Sequence, residues 1–195
     1  FAEGDFTYSD VEDDPFSGIK VKTLETEGDL EYDGSDVTTD QELSDMSLLV
    51  FKPDPDANGT PYSNFEFKVY DGSAYSDSTY RMDINVNPVN DAPSFTKGDN
   101  DTVNEDAGSV TVSSWATDMY EGADNETDQT LTFNVSNNNN GLFSSQPSID
   151  SSSGDLTYTP ASDSNGTAEV YVQLQDDGGT SNGGEDTSST DTFYI

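Results

Sequence analysis

Hydrophobic and polar residues alternate along several short segments of this chain, with the period of a β-strand. The alternation is clearest at residues 65–70, 80–86, 110–112, 131–135 and 170–175. Glycine, proline, asparagine, aspartate and serine separate these segments, which is typical of turns between strands. No apolar stripe of helical period is convincing, and residues 40–49 have room for one short helical turn. The pattern predicts an all-β protein whose strands bury one face each, as in an antiparallel sandwich.

A sequence repeat divides the chain into two halves. In the first copy, Leu-Val-Phe-Lys-Pro at residues 49–53 precedes Asn-Gly-Thr at residues 58–60. In the second copy, Leu-Thr-Tyr-Thr-Pro at residues 156–160 precedes Asn-Gly-Thr at residues 165–167. The spacing is the same in both, and each copy has the length of one domain.

Two tandem antiparallel β-sandwiches of the Ig-like type are therefore predicted, one at residues 1–91 and one at residues 92–195. Each copy carries about half of the acidic residues. The charge is thus spread over both halves rather than gathered in a solvated tail.

The charge of the chain is extreme. Forty of the 195 residues are Asp or Glu and six are Lys or Arg, which gives a formal net charge of -34. Leu, Ile, Val and Phe together make up about 18% of the residues, which at this charge is typical of disordered chains, but the alternation and the repeat favour a folded protein. A compact fold with so many carboxylates repels itself unless cations lie among them, and oxygen-only ligands favour Ca²⁺. We therefore expect bound calcium to stabilise the folded state.

The missing residue types exclude several kinds of site and partner. The chain has no Cys and no His, so disulfides, thiolate metal sites and a histidine general base are excluded. No run approaches the ~20 apolar residues of a membrane-spanning helix, so membrane insertion is not expected. The negative charge argues against nucleic acid and anionic membranes as partners. Without His and Cys, catalysis would have to use a pair of carboxylates, as in glycosidases. Among forty acidic residues such pairs occur by chance, so they are not evidence for catalysis and we do not predict an enzyme.

The segment between the halves is Val-Asn-Pro-Val-Asn-Asp-Ala-Pro-Ser-Phe at residues 86–95, and its two prolines stiffen it. It is accompanied by Asn-Glu-Asp at residues 104–106, Phe-Lys-Pro at residues 51–53 and Asp-Gly at residues 71–72. In this order the motifs resemble bacterial cadherin-like repeats of the VCBS and RTX-adhesin type, which occur in giant secreted adhesins. The resemblance covers nearly the whole chain. By that pattern, the first repeat is expected to lack its first strand and its acidic triplet.

The resemblance implies calcium sites at the ends of the sandwiches. A site at the junction would take ligands from the bottom of the first repeat, the linker and the top of the second: Asp54, Asp56, Asn90, Asp91, Asp118, Asp124 or Glu126, and Asp176. A site at the top of the first repeat would use Asp10, Glu12 and Asp71. A site at the bottom of the second repeat would use Glu105, Asp163 and Asn165. Asp and Asn are also common turn residues, which is the plainer interpretation of each set.

The leading functional hypothesis is a calcium-rigidified structural and adhesive segment of a large secreted protein at the bacterial cell surface, with a role in cell adhesion and biofilms. Its partners would be neighbouring repeats of the same polypeptide, and the chain is expected to be monomeric. The alternative is a module that binds a carbohydrate or a peptide in a calcium-dependent way. A third possibility is a salt-adapted protein whose carboxylates only hold water.

Three smaller predictions concern individual motifs. Asp-x-Asp-x-Asn-Gly at residues 54–59 is not an EF-hand, because the twelfth position holds Phe65 rather than Glu. Trp115 is expected in the core, with Phe6 as its counterpart in the first repeat. Residues 137–140 are expected to be a hairpin connection.

Overall fold

A computed structural model describes residues 1–6, 8–9 and 14–195 of the chain. They form two compact units, Phe1–Pro88 and Val89–Ile195, so the linker residues Asn90 and Asp91 belong to the second unit rather than to the first, where the sequence placed them. Within these ranges the helical segments are short 3₁₀ turns at Glu3–Asp5, Met46–Leu48, Asn140–Leu142 and Ser181–Gly183. The predicted all-β class and the antiparallel sandwich are confirmed. The described part of the chain holds no helix long and apolar enough to cross a membrane.

The first unit contains, among its described residues, seven strands in two antiparallel sheets. The strands are β1 (Gly18–Thr23), β2 (Asp29–Tyr32), β3 (Ser35–Asp36), β4 (Glu42–Leu43), β5 (Leu49–Lys52), β6 (Gly59–Tyr70) and β7 (Tyr80–Val86). One sheet has the order β4-β1-β6-β7 and the other the order β3-β2-β5. Ile19 and Phe65 from the first sheet and Leu30 and Leu49 from the second are buried in one core.

The second unit contains eight strands. They are β8 (Ser94–Thr96), β9 (Val110–Val112), β10 (Thr117–Tyr120), β11 (Thr132–Asn137), β12 (Phe143–Ile149), β13 (Leu156–Pro160), β14 (Glu169–Gln175) and β15 (Asp191–Tyr194). They form sheets of order β11-β14-β15, β12-β13-β9 and β10-β8. Strand pairs in all three sheets are antiparallel.

The alternation in the sequence determines which face of each strand is buried. In β14, Val170, Val172 and Leu174 are fully buried, and the residues between them are partly exposed. Trp115 is 4% exposed and lies 4.3 Å, centroid to centroid, from the ring of Phe193. Its predicted place in the core is confirmed, and so is that of Phe6, which is 2% exposed.

The prediction of a hairpin at residues 137–140 is wrong. The strands on either side, β11 and β12, belong to different sheets, so this segment crosses the sandwich instead of turning back within one sheet. The physical reason is the burial of Leu142 and Phe143, which lie just after this segment. Their side chains pack in the core, and this places β12 in the opposite sheet. A polar Asn-rich sequence predicts a turn but not the sheet that the next strand joins.

Candidate functional site

Asn90 is held at the edge of the second unit by hydrogen bonds from both sides. Its Nδ2 donates to Oδ1 of Asp176 at 3.0 Å and to the carbonyl of Glu185 at 2.7 Å. Its Oδ1 accepts from Nε2 of Gln129 at 2.7 Å, and its carbonyl accepts from the backbone N–H of Glu185 at 2.9 Å. These contacts fix the side chain and the backbone of Asn90 together.

Two glycines make room for this close approach. A Cβ on Gly178 would lie 1.7 Å from Oδ1 of Asn90, and a Cβ on Gly184 would lie 2.9 Å from its backbone nitrogen. Real Cβ atoms do not come so close to backbone or to packed polar atoms. The packing of Asn90 therefore requires a glycine at position 178, in the sequence Asp-Asp-Gly at residues 176–178.

Asp176 is the buried acid of the site. It is the first residue after β14 and is 5% exposed. Its Oδ1 accepts from Asn90 and from the backbone N–H of Gly178 at 2.9 Å. Its Oδ2 is buried and has no hydrogen-bond partner among the described residues, and the same holds for Oε1 of Gln129. A buried carboxylate oxygen without a donor costs free energy, and a cation is one kind of partner that would remove this cost at Oδ2 of Asp176.

Asp91 adds a second contact beside Asn90. Its backbone N–H donates to both carboxylate oxygens of Glu126 at 3.2 Å, and the N–H of Ala123 donates to Oε2 at 3.2 Å. Gly122 has a φ of +150°, and a Cβ there would lie 2.3 Å from Oε2 of Glu126. Asn90 and Asp91 are thus tied to two separate acidic residues, Asp176 and Glu126.

The other two acids predicted at the top of the second unit make different contacts. Oδ1 of Asp124 accepts from the hydroxyl of Tyr120 at 2.7 Å, and this bond raises the pKa of Tyr120 to about 12. Asp118 lies in β10 with a φ of +49° and accepts from the hydroxyl of Thr117 at 3.2 Å. Neither has a described hydrogen bond to the linker residues.

The predicted ligands in the first unit lie in turns. Oδ2 of Asp54 accepts from the hydroxyl of Tyr62 at 2.8 Å, and Asp56 has a φ of +59°. Oδ1 of Asp71 accepts from the backbone N–H groups of Ala74 and Ser73 at 2.6 Å, and these two bonds lower the pKa of the carboxyl. That Asp54 and Asp56 share a metal with the second unit stays a prediction. Asp10 and Glu12 lie outside the described residues.

Two of the three predicted ligands at the bottom of the second unit border one cavity. Glu105 and Asn165 both line a cavity of about 350 Å³, whose apolar part includes Leu142 and Pro160. Asp163 donates its backbone N–H to Oδ1 of Asp106 at 3.3 Å.

The acidic residues of the described ranges do not form a group of three or more that could hold a metal ion. A cation beside Asp176 would therefore depend on neutral oxygens as well, such as the Oε1 of Gln129 and the carbonyl of Glu185. Sequence reasoning missed both residues. Gln129 lies in a polar loop with no motif of its own, and a backbone carbonyl leaves no signal in the sequence.

Comparison with known proteins identifies the fold family. No curated protein and no solved structure matches the chain. Residues 90–189 match the family model described as Bacterial Ig domain, a domain type that is typically non-enzymatic and often extracellular or at the cell surface. The match supports an Ig-like bacterial domain, whereas the finer resemblance to calcium-binding cadherin-like repeats stays a prediction. Since the matched region covers half of the sequence, the chain belongs to the bacterial Ig domain family.

Proposed function

We propose that this chain is a calcium-rigidified structural and adhesive segment of a large secreted adhesin at the bacterial cell surface. Membership of the bacterial Ig domain family supports a module of the surface or adhesin type. The calcium part of the proposal depends on one observation, the unpartnered Oδ2 of the buried Asp176.

Electrostatics favours a cation at this position. Asp176 is 5% exposed in a chain of net charge -34, so little water screens its carboxylate from the other acids. An opposite charge at Oδ2 would supply the partner that the described residues do not supply. Ca²⁺ is the suitable cation because it accepts carboxylate, amide and backbone carbonyl oxygens in flexible geometry.

The residues that would hold calcium surround Asn90. Asp176 would give a carboxylate oxygen, Gln129 the amide oxygen that now has no partner, and Glu185 a backbone carbonyl. Because Asn90 contacts all three, a cation there would fasten the start of the second unit to its own loops. The free energy of metal binding would add to the free energy of unfolding, because the unfolded chain does not gather these groups.

Thermal unfolding with and without calcium tests the proposal. Trp115 is the single Trp of the chain and is buried in the second unit, so its fluorescence reports on the unit that contains Asp176. We expect calcium added to chelator-treated protein to raise the melting temperature of this signal. Magnesium and sodium at matched ionic strength should have a much smaller effect. Equal effects of all three salts would contradict the proposal and favour a protein whose acids only hold water.

The cavity between Glu105 and Asn165 supports a second candidate function, the calcium-dependent binding of a carbohydrate or peptide. Its volume of about 350 Å³ lies in the range of small-ligand pockets, and it combines apolar with carboxylate and amide groups. Glycan and peptide arrays, each probed with and without calcium, test this function. Binding that requires calcium and is lost in Asn165→Ala would favour it, whereas no binding on either array would leave the structural role.

A further inference from the structure

A tight turn at the end of β6 brings two tyrosines together. Tyr70 is the last residue of β6, and Tyr75 follows after Asp-Gly-Ser-Ala at residues 71–74. Oδ1 of Asp71 accepts hydrogen bonds from two backbone N–H groups within the turn, at 2.6 Å each. Gly72 has a φ of +96°, which favours glycine. The turn therefore leads the chain back alongside the end of β6.

The two tyrosines face each other in an isolated antiparallel bridge. The N–H of Asp71 donates to the carbonyl of Ala74 at 3.3 Å, and the N–H of Ser76 donates to the carbonyl of Val69 at 2.8 Å. These two bonds flank the tyrosine pair instead of joining it, so the pair is of the non-hydrogen-bonded kind. Side chains of such pairs lie closer together than those of hydrogen-bonded pairs.

The two phenol rings are accordingly in contact. The ring centroids of Tyr70 and Tyr75 are 4.7 Å apart, and the ring planes make an angle of 33°. The hydroxyl of Tyr70 donates to the carbonyl of Gly72 at 2.8 Å, and the ammonium of Lys20 lies 4.2 Å from the centroid of the Tyr75 ring. These contacts hold both rings in place. Both side chains are partly exposed, so a reagent in solution can reach them.

The hydroxyl of Tyr75 has a proton acceptor beside it. It donates to the carboxylate of Glu42, a residue of the neighbouring strand β4. Burial, followed by this hydrogen bond, raises the pKa of Tyr75. The phenol therefore keeps its proton at neutral pH, and the loss of an electron from the ring has to be accompanied by the loss of that proton. Glu42 is positioned to receive it.

We propose that Tyr70 and Tyr75 form a site of oxidative modification, at which a one-electron oxidant such as a peroxidase with hydrogen peroxide joins the two rings into dityrosine. Each phenol loses one electron and one proton, and the two radicals combine through a C–C bond between ortho carbons. The hydrogens on these carbons then move to the oxygens, which restores both phenols. The chain loses two hydrogen atoms in total, and one hydrogen peroxide is reduced to two waters.

The cross-link would be a covalent staple in a chain that has no cysteine. It spans one short turn, so its effect is local: it prevents the end of β6 and the residues after the turn from opening separately. Thiols reduce disulfides but do not cleave the C–C bond of dityrosine. The inference goes beyond the proposed function, because neither the tyrosine pair nor its reaction involves calcium.

Treatment of the full chain with peroxidase and hydrogen peroxide, in dilute solution, tests the proposal. Dityrosine fluorescence is measured on the monomer band after electrophoresis, and mass spectrometry locates the loss of two hydrogen atoms. Tyr75→Phe keeps the ring but removes the phenol. Tyr171→Phe is the matched control. The hydroxyl of Tyr171 also donates to a carboxylate, that of Glu169 at 3.0 Å, but its cross-strand neighbours are Ser136 and Thr192 instead of a tyrosine.

We expect dityrosine in the monomer of the native chain, in a peptide that contains both Tyr70 and Tyr75. Tyr75→Phe should lose the fluorescence of the monomer, whereas Tyr171→Phe should keep it. Glu42→Gln should react more slowly, because an amide does not take up the phenolic proton. The proposal is wrong if the native monomer forms no dityrosine, or if Tyr75→Phe forms as much of it as the native chain.

Discussion

The side-chain amide of Asn90 donates a hydrogen bond to Oδ1 of Asp176 at 3.0 Å, and the other oxygen of that carboxylate is buried without a partner. One half of the carboxylate therefore anchors the start of the second unit, while the other half is where we propose that a cation binds. Replacing the carboxylate by an amide should affect these two roles differently.

Asp176→Asn is expected to remove the stabilisation that calcium gives. In the native chain, calcium at about 100 times its dissociation constant should add about 2.7 kcal/mol to the free energy of unfolding, or about 12 °C in melting temperature for a unit of this size. In chelator the variant should be at least as stable as the native chain, because it no longer buries an unpaired charged oxygen. The measurement is the Trp115 melting curve of both proteins in calcium and in chelator.

Asp128→Asn is the matched control, since it removes one acid from an exposed position in the loop that carries Gln129. It should keep the calcium response of the native chain. If both variants lose the response equally, calcium acts through overall charge and the site at Asp176 is refuted.

Gly178→Ala should detach Asn90 from its pocket. A Cβ at this position would lie 1.7 Å from Oδ1 of Asn90, so the Asn90 side chain must move away. Overpacking of this kind typically costs about 1–3 kcal/mol. Urea unfolding followed by Trp115 fluorescence measures the loss, and hydrogen exchange of the Glu185 amide, which donates to the Asn90 carbonyl, locates it.

Gly141→Ala provides the comparison for that substitution. A Cβ on Gly141 has no atom within 4 Å, so the variant should unfold at the same urea concentration as the native chain. If the hydrogen-exchange rate of the Glu185 amide is the same in the Gly178→Ala variant as in the native chain, the contact with Gly178 does not hold Asn90 in place.

Most of the strands could be predicted from the sequence, because the alternation of apolar and polar residues is a local property of each segment. The buried residues of β14, Val170, Val172 and Leu174, follow directly from their alternation. The short helical turn expected within residues 40–49 is present at Met46–Leu48. Which sheet β12 joins depends on contacts between distant residues, because Leu142 and Phe143 are buried in the core. The local sequence does not contain this information, so the hairpin prediction was wrong.

The site could be predicted only in part, for a similar reason. Linker and loop motifs identified Asn90, Asp91, Glu126 and Asp176, which the structure brings together in two pairs. The orientation of each side chain depends on loops that are far apart in sequence. Asp124 binds Tyr120 instead of the linker, which the motif does not reveal.

Tyr158→Phe should destabilise the second unit. The hydroxyl of Tyr158 donates to Oδ2 of Asp101 at 2.7 Å, and the residue is 1% exposed. Burial, together with this bond to a carboxylate, raises the pKa of Tyr158. Hydrogen bonds to charged groups contribute about 1.5–3 kcal/mol, so we expect a loss of that size in urea unfolding followed by Trp115 fluorescence. Tyr120→Phe removes a similar bond at an exposed position and should change stability far less; equal losses would contradict the role of burial.

The ionised carboxylate of Asp150 should stabilise the second unit, and this stabilisation should be lost in strongly acidic solution, where the carboxylate is protonated. Its Oδ1 accepts from the hydroxyl of Ser152 at 2.6 Å and from the backbone N–H groups of Ser153 and Ser152 at 2.9 Å. The serine hydroxyl, followed by these N–H groups, lowers the pKa of Asp150 to about 2, from an ordinary value of 3.8. The folded state thus favours the ionised form, so the stabilisation is complete above the unfolded pKa and is lost as the pH falls through about 2.

Unfolding of the native chain and Asp150→Asn in chelator, at about pH 6 and about pH 2.5, measures this effect. We expect the native chain to be the more stable at the higher pH and the difference between the two proteins to shrink at the lower pH. The corresponding difference for Asp128→Asn should change less, because its side chain lacks these hydrogen-bond donors. A difference for Asp150→Asn that is the same at both pH values would show that the three hydrogen bonds do not favour the ionised carboxylate.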